Sequence, residues 1–345
     1  MKVSIIGATG YAGAELMRLL LNHPKVELVH ITSESHTGKN IADVYPHMRG
    51  IYDKTLISMN NLDDIAADSQ VIFIGLPHGH AMAVGKKLTD KNIKIIDLGA
   101  DYRFTDTSVY EEWYKVEHTH KNAQGRVYGL AELYREQIRQ AKIIGNAGCY
   151  TTASILALAP LAKLELIEMD SIVIDAKSGV SGAGRSAKLG NHFPEMYDNF
   201  KAYGVATHRH TPEIEQALGE FAGKNVILNF TPHLVPMSRG ILSTCYANLK
   251  HGVTAEQVDE AFAEMYQSEF FIRLLGRNAY PATKEVRGSN FCDLGWHVDQ
   301  RTGRVIVLSA IDNLVKGAAG QAVQNFNIAC GFDEKMGLLQ VPVYP

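Results

Sequence analysis

The chain has 345 residues, which at about 150 residues per domain suggests two domains. Its 34 Lys and Arg stand against 37 Asp and Glu, a net charge of −3, so it lacks the basic excess that a nucleic-acid partner requires. Hydrophobic residues at 46% and charged residues at 21% are globular values that exclude large-scale disorder.

Residues 2–6 read as a short apolar strand, 14–21 as a helix that stops near His23-Pro24, and 26–31 as a second strand. The runs VIFIGL (71–76) and IKIIDL (93–98) are two further strands with a helix at 82–88 between them, and 143–145 opens another. Strands that alternate with helices, and are apolar throughout rather than at every second residue, predict a doubly wound parallel sheet covered on both faces. After Gly148 the texture changes. A long apolar helix is expected at 154–166, a strand at 171–176, a Gly/Ser-rich loop at 178–187 and strands at 226–230 and 241–249. A helix at 255–262, a strand at 305–311 and a helix over 313–330 complete the pattern, which suits a larger mixed sheet. The fold class is therefore α/β: an N-terminal Rossmann-type parallel sheet followed by an α+β domain.

The uncharged stretch 143–162 is interrupted by Asn146, Gly148, Tyr150, Thr151, Thr152 and Pro160, so no membrane span is expected there. The start MKVSIIGATG is too short in its apolar run and too rich in glycine for a signal peptide. Cys149, Cys245, Cys292 and Cys330 are widely spaced and form no CxxC pair. A zinc site or disulfide framework is not expected, and a reducing, cytoplasmic setting fits.

The first strand runs into Gly7-Ala8-Thr9-Gly10-Tyr11-Ala12-Gly13 and then a helix. One glycine permits the turn, one admits the pyrophosphate of a dinucleotide, and one lets helix pack on strand, with phosphate on the helix N-terminus. After the second strand, Ser33, Ser35 and Lys39 offer donors and positive charge for a 2′-phosphate, which favours NADP. Glu34, if turned inward, favours NAD instead.

Cys149 lies where a strand ends, a glycine turn follows and a long apolar helix begins. Unpaired N–H groups at a helix N-terminus stabilise a thiolate, and the same groups stabilise an oxyanion on an acyl carbon that the sulfur attacks. The other three cysteines read as core residues.

Ordered motifs extend along the whole chain: GATGYAG at 7–13, GLPHG at 75–79, DLGADYRF at 97–104, YGLAE at 128–132, GNAGCYTT at 145–152, SGVSGAGR at 178–185, HRHTPEI at 208–214, TPHLVPMSRGIL at 231–242 and DNLVKGAAGQA at 312–322. On these motifs the chain resembles the N-acetyl-γ-glutamyl-phosphate reductases of the aspartate-semialdehyde dehydrogenase superfamily. It departs from their usual pattern at Ala147 and Ala131, where that family has proline. The resemblance implies an NADP-binding domain of residues 1–147 and 314–345, and a catalytic and oligomerisation domain of residues 148–313. It implies NADPH-dependent reduction of an acyl phosphate to a semialdehyde through a Cys149 thioester, in a homodimer or homotetramer.

Related semialdehyde dehydrogenases have a histidine after the arginine-glycine of a Val-Pro-rich strand, whereas this chain has Ile241 there. The acid/base is therefore expected from His208 or His210, in the loop before a helix with Thr211 as N-cap and Pro212 as its first residue. Asn146 is expected to help the oxyanion. Arg103, Arg185, Arg239 and Glu213 are the substrate-binding candidates. Pro77, Ser181, Gly182, Asn313, Lys316 and Gly317 are expected near the cofactor, and no metal is expected. The alternatives are a reductase of aminoadipyl or aspartyl phosphate, and a non-catalytic NADP sensor whose cysteine has an ordinary pKa.

Overall fold

The computed structural model describes residues 1–344. The chain forms two units, Met1–Ala147 with Ala318–Leu338, and Gly148–Gly317 with the stretch from Leu339 onward.

In the first unit the strands are β1 (Lys2–Ile6), β2 (Glu27–Ile31), β3 (Val71–Ile74), β4 (Lys94–Asp97), β5 (Arg126–Gly129) and β6 (Ile143–Asn146). They pair in the order β2-β1-β3-β4-β6-β5, all parallel. The helices are α1 (Tyr11–Leu20), α2 (Ile41–Val44), α3 (Leu62–Asp68), α4 (Ala81–Leu88), α5 (Thr107–Tyr114) and α6 (Ala131–Gln140). Every side chain of β3 is buried, as its unbroken apolar run requires in a sheet covered on both faces. Ile72, Ile74 and Ile95 pack with Ile65, Val84 and Leu88 from α3 and α4.

The second unit opens with α7 (Cys149–Lys163), buried at every residue from Tyr150 to Ala162. It begins at Cys149, earlier than the 154 expected, because Gly148 is an extended N-cap and the helix starts at once. The remaining elements are β7 (Val173–Gly179), α8 (Phe193–Met196), β8 (Lys201–Ala202), α9 (Thr211–Ala222), β9 (Asn229–Val235), β10 (Ile241–Asn248), α10 (Ala255–Tyr266), β11 (Ile272–Arg277), β12 (Cys292–Asp299) and β13 (Arg304–Ile311). The seven strands form a mixed sheet in the order β11-β12-β13-β10-β7-β9-β8. Residues of β10 alternate between buried and half-exposed, as one covered face demands. A capping box starts α10, with Thr254 Oγ1 accepting from Gln257 N at 3.3 Å and Gln257 Oε1 accepting from Thr254 N at 2.9 Å.

The strand expected at 226–230 runs over Asn229–Val235 instead. The helix expected from residue 313 starts late. Asp312 accepts the Leu314 and Val315 N–H groups at 2.8 and 3.1 Å, and a wide turn follows over Val315–Ala319 before α11 (Gly320–Ala329) returns to the first unit. Residues 314–317 and those from Leu339 on lie in the second unit. Among the described residues no helix is long and apolar enough to cross a membrane.

Candidate active site

In the first unit the chain leaves β1 through Gly7 at φ +84°. A Cβ on Gly7 would lie 2.6 Å from Gly75 O beyond β3, and one on Gly13 would lie 2.7 Å from the carbonyls of Gly7 and Ala8. Both positions therefore exclude a side chain, whereas the space over Gly10, the N-cap of α1, is open. No side chain caps α1 and no carboxylate lies in its first turn, which Tyr11 and Ala12 open, with Thr9 one residue before the N-cap. A helix start with donors and no carboxylate fits the pyrophosphate of a dinucleotide. Thr32 fixes the turn, accepting from Gly7 N through Oγ1 at 3.1 Å and from Ala8 N through its carbonyl at 2.9 Å.

Beyond β2, Ser33 Oγ bonds Thr9 Oγ1 at 2.8 Å, and exposed Ser35 bonds His36 Nδ1 at 2.8 Å. The Glu34 carboxylate accepts from Met59 N at 2.6 Å and from Ser58 Oγ at 3.2 Å, so it is tied to the lead-in of α3. Lys39 and Pro77 are exposed. Asp101, which the sequence reading missed, accepts from Gly79 N at 2.7 Å, Ala81 N at 2.9 Å and Tyr110 Oη at 2.8 Å, and so caps α4. Burial, with the Asp101 charge close by, pushes the Asp97 carboxyl up to about 7.

Two residues of this unit expected at the ligand hold backbone in the structure. Arg103 is buried and donates Nε to Asn146 O at 2.8 Å and Nη2 to Leu98 O at 3.1 Å. Asn146, 1% exposed, donates Nδ2 to Ala318 O at 3.1 Å, while its Oδ1 accepts from Asn325 Nδ2 at 3.0 Å. Its amide ties β6 to the turn before α11 and to Asn325 within that helix.

In the second unit Cys149 is the first residue of α7, half-buried and outside any disulfide. The amides of Cys149, Tyr150 and Thr151 precede the first helical bond, from Thr152 N to Gly148 O at 2.9 Å. Gly317 presses on this cysteine, since a Cβ there would lie 2.8 Å from Cys149 Cβ. Glu213 from α9 is fully buried, and its Oε1 accepts from Gly148 N at 2.9 Å and Thr151 Oγ1 at 2.8 Å. This corrects the expectation of a substrate contact: the carboxylate braces the turn that carries Cys149.

The loop before α9 brings His208 and His210 against Tyr150, with ring centroids 5.7 and 6.0 Å away. Tyr203 donates its hydroxyl to Tyr150 Oη at 3.2 Å, and Tyr150 donates to His233 O at 2.9 Å. Burial drives both phenols well above the usual tyrosine range, so they stay neutral. Burial and the neighbouring Arg209 charge hold His208 down at about 4. The N-cap of α9 is His210, not Thr211, whose buried hydroxyl makes no hydrogen bond. Tyr150 and Tyr203 were not singled out from sequence; Tyr150 stood beside the cysteine and was the available signal.

Asn313, 1% exposed, donates to Ser181 Oγ at 2.9 Å and accepts from Gly240 N at 2.8 Å, bracketing two loops. A Cβ on Gly182 would lie 2.9 Å from Ser178 Oγ. Lys316 is fully buried, with Nζ 5.7 Å from the Phe271 ring centroid. Arg239 Nη1 lies 3.5 Å from buried Asp312, and Arg185 is exposed on its loop.

The model of the semialdehyde dehydrogenase NAD binding domain matches residues 2–141, and that of the semialdehyde dehydrogenase dimerisation domain matches 149–313. The N-acetyl-gamma-glutamyl-phosphate reductases of Pelotomaculum thermopropionicum and Desulforamulus reducens are each 54% identical to the chain. The matches span all of the chain and 99% and 100% of those relatives. The chain belongs to the N-acetyl-γ-glutamyl-phosphate reductases of the semialdehyde dehydrogenase family. It is an oxidoreductase whose first unit is an NAD(P)-binding domain. The Moorella thermoacetica relative of the same name is 52% identical over 99% of both chains. Aspartate semialdehyde dehydrogenase II from Vibrio cholerae shares the fold, with a TM-score of 0.71 at 18% identity over 96% of this chain and 98% of that one. A Candida albicans aspartate semialdehyde dehydrogenase solved with NADP has a TM-score of 0.70 at 17% identity, over 95% of this chain and 97% of that one.

Of the two departures from the reductase pattern, Ala147 has a local explanation and Ala131 has none. Ala147 N donates to Gly129 O at 3.2 Å, a bond that proline cannot make. Ala131 is the first residue of α6, where proline is favoured, and Leu130 before it is extended.

Proposed function

We propose that this chain reduces N-acetyl-L-glutamyl 5-phosphate to N-acetyl-L-glutamate 5-semialdehyde with NADPH, the arginine-biosynthetic reaction its relatives' name describes. The observation that carries the reading is Cys149 at the open end of a buried helix, with the two loop histidines on the adjacent Tyr150.

Helix-start amides favour the thiolate, and an imidazole of the 208–210 loop takes its proton. Sulfur attacks the acyl carbon, a C–S bond forms, the C–O bond to phosphate breaks, and phosphate leaves with a proton from solvent. First-turn amides of α7 hold the oxyanion of each tetrahedral stage. When bound, the dinucleotide supplies the hydride that takes the thioester to the aldehyde level. The imidazolium returns its proton to sulfur as the C–S bond breaks and the aldehyde leaves.

The turn from Gly7 to Gly13 would hold the pyrophosphate. Ser33, Ser35 and Lys39 favour a 2′-phosphate, and Glu34, tied to Ser58 and Met59, does not compete for the ribose; this supports NADP over NAD. Exposed Arg185 suits the phosphate or carboxylate of the substrate. The working form is a homodimer or homotetramer in the cytoplasm, consistent with four cysteines outside disulfides.

The test is steady-state turnover of N-acetylglutamyl, aspartyl and aminoadipyl phosphates with NADPH and with NADH. The N-acetylglutamyl substrate with NADPH is expected to have the highest kcat/KM. A Cys149→Ser protein is expected to lose turnover and still bind NADPH; loss of that binding, or unchanged turnover, contradicts the assignment.

A further inference from the structure

The edge strand of the first unit carries a guanidinium without a counter-charge. Arg126 is the first residue of β5, which ends the sheet order β2-β1-β3-β4-β6-β5. It stands at the N-terminal end of a parallel strand. The Gly7 turn and Asn146 lie at the C-terminal ends of theirs, where doubly wound sheets take their cofactor. Arg126 is half-buried, and its Nη2 donates to Thr105 O at 2.9 Å. Its Nη1 is buried and meets no acceptor. Burial depresses the guanidinium, and the one group that offsets this is the Tyr102 phenol, itself kept neutral by burial.

The carboxylates close by in the chain are committed elsewhere. Asp106 caps α5, accepting from Ser108 N at 2.8 Å. Asp101 caps α4 and accepts from Tyr110, and Asp97 Oδ1 accepts from Gly99 N at 2.8 Å. Glu111 pairs with Lys121 at 2.8 Å. Arg103, the second cation here, directs Nε and Nη2 to Asn146 O and Leu98 O.

Arg126 lines a cavity of about 180 Å³ whose walls include Tyr102, Arg103, Phe104, Thr105 and Tyr128. Among the described residues none of its walls is acidic. The space is several times the about 30 Å³ of a water, so it admits a tetrahedral oxyanion with a short organic tail. A buried charge without a partner is costly, and a guanidinium is the side chain shaped to meet phosphate.

We infer that this cavity binds a phosphate group, free or carried on a small metabolite, with Arg126 as its charged ligand. The occupant supplies the acceptor for Nη1 and the counter-charge for the guanidinium. Through Nη2 and Thr105 O it also steadies the 102–105 turn, from which Arg103 holds Asn146 O at the end of β6. The site is built from the first unit alone and does not depend on the reductase reading.

The test is hydrogen–deuterium exchange of the full-length protein, read by mass spectrometry. Three additions are compared: inorganic phosphate at 10 mM, glycerol 3-phosphate at 10 mM, and potassium chloride of equal ionic strength, which controls for screening. Peptides covering 102–106 and 123–128 are expected to exchange about tenfold more slowly with a phosphate compound than with chloride, as a Kd of about 1 mM requires. The compound that protects more strongly identifies the source of the group. Arg126→Met is expected to lose this protection in both segments. Arg126→Lys keeps the charge without the fork, and calorimetric titration is expected to show phosphate bound at least about tenfold more weakly; it serves where the methionine variant does not fold. Equal exchange in phosphate and chloride overturns the inference. So does protection confined to other segments, protection that persists in Arg126→Met, or an Arg126→Lys protein that binds phosphate as tightly as the unsubstituted one.

Discussion

Glu213 gives the sharpest test of how the nucleophile is held. Replacing it with alanine removes the only carboxylate that accepts from Gly148 N and Thr151 Oγ1 among the hydrogen bonds described, at 2.9 and 2.8 Å. A buried donor left unsatisfied costs about 1–3 kcal/mol. Thr151 keeps a second acceptor, Gly148 O at 2.7 Å, so its share is small, whereas the Gly148 amide is stranded. The lost side-chain volume adds a cavity cost, and Glu213→Ala is expected to lower stability by about 3 kcal/mol, a large part of a typical 5–15. Glu213→Gln keeps the Oε1 acceptor and the shape, so it is expected to lose only about 1 kcal/mol. Urea unfolding followed by circular dichroism measures both, and the steady-state KM for the acyl phosphate is expected to be nearly unchanged in the glutamine variant. A glutamine variant as unstable as the alanine variant, or one with KM raised tenfold at unchanged stability, would refute the brace and restore a substrate-binding role.

Three further expectations follow from single contacts. Gly317→Ala places a Cβ 2.8 Å from Cys149 Cβ, so the cysteine must shift; kcat is expected to fall at least tenfold in steady-state assays while circular dichroism stays native. Ala131→Pro puts proline at the first residue of α6 after an extended Leu130, and is expected to raise stability by about 0.4–1 kcal/mol in urea titrations. His208, held at about 4 against an ordinary 6.5, binds a proton more readily in the unfolded chain. Its contribution is therefore complete above pH 6.5 and is lost as pH falls towards 4, by at most about 3 kcal/mol. His208→Gln is expected to flatten that limb of the stability curve measured by chemical denaturation.

The parallel sheet was legible because its strands are apolar without interruption and its turn signals are strong: VIFI at 71–74 folds as a fully buried strand. Ends set by tertiary contacts were harder to read. The helix expected at 313 waits until Gly320 because Asp312 takes the next two amides and Asn313 is held by Ser181 and Gly240. The motif around Cys149 pointed to the proposed nucleophile, since a glycine turn before an apolar helix is a local pattern. The roles of Glu213, Arg103 and Asn146 depend on partners 65, 43 and 172 residues away, which no local pattern encodes. A charged or amide side chain in a motif was read as facing a ligand, where the fold uses it to hold backbone. Strands β11 and β12 were missed for a similar reason: Arg273, Asp293 and His297 break the apolar run, and Arg273 and Asp293 pair with each other at 2.6 Å.

The proposed reaction passes through a covalent acyl group carried by one sulfur. Mixing the protein with N-acetylglutamyl phosphate in the absence of NADPH, followed by intact-mass and peptide-mass spectrometry, reads that directly. One acyl group per chain on the peptide containing Cys149, with one phosphate released, is the predicted result, and adding NADPH should discharge it as aldehyde. An unmodified Cys149, or phosphate released without any acyl-protein in the time of a turnover, would contradict the account.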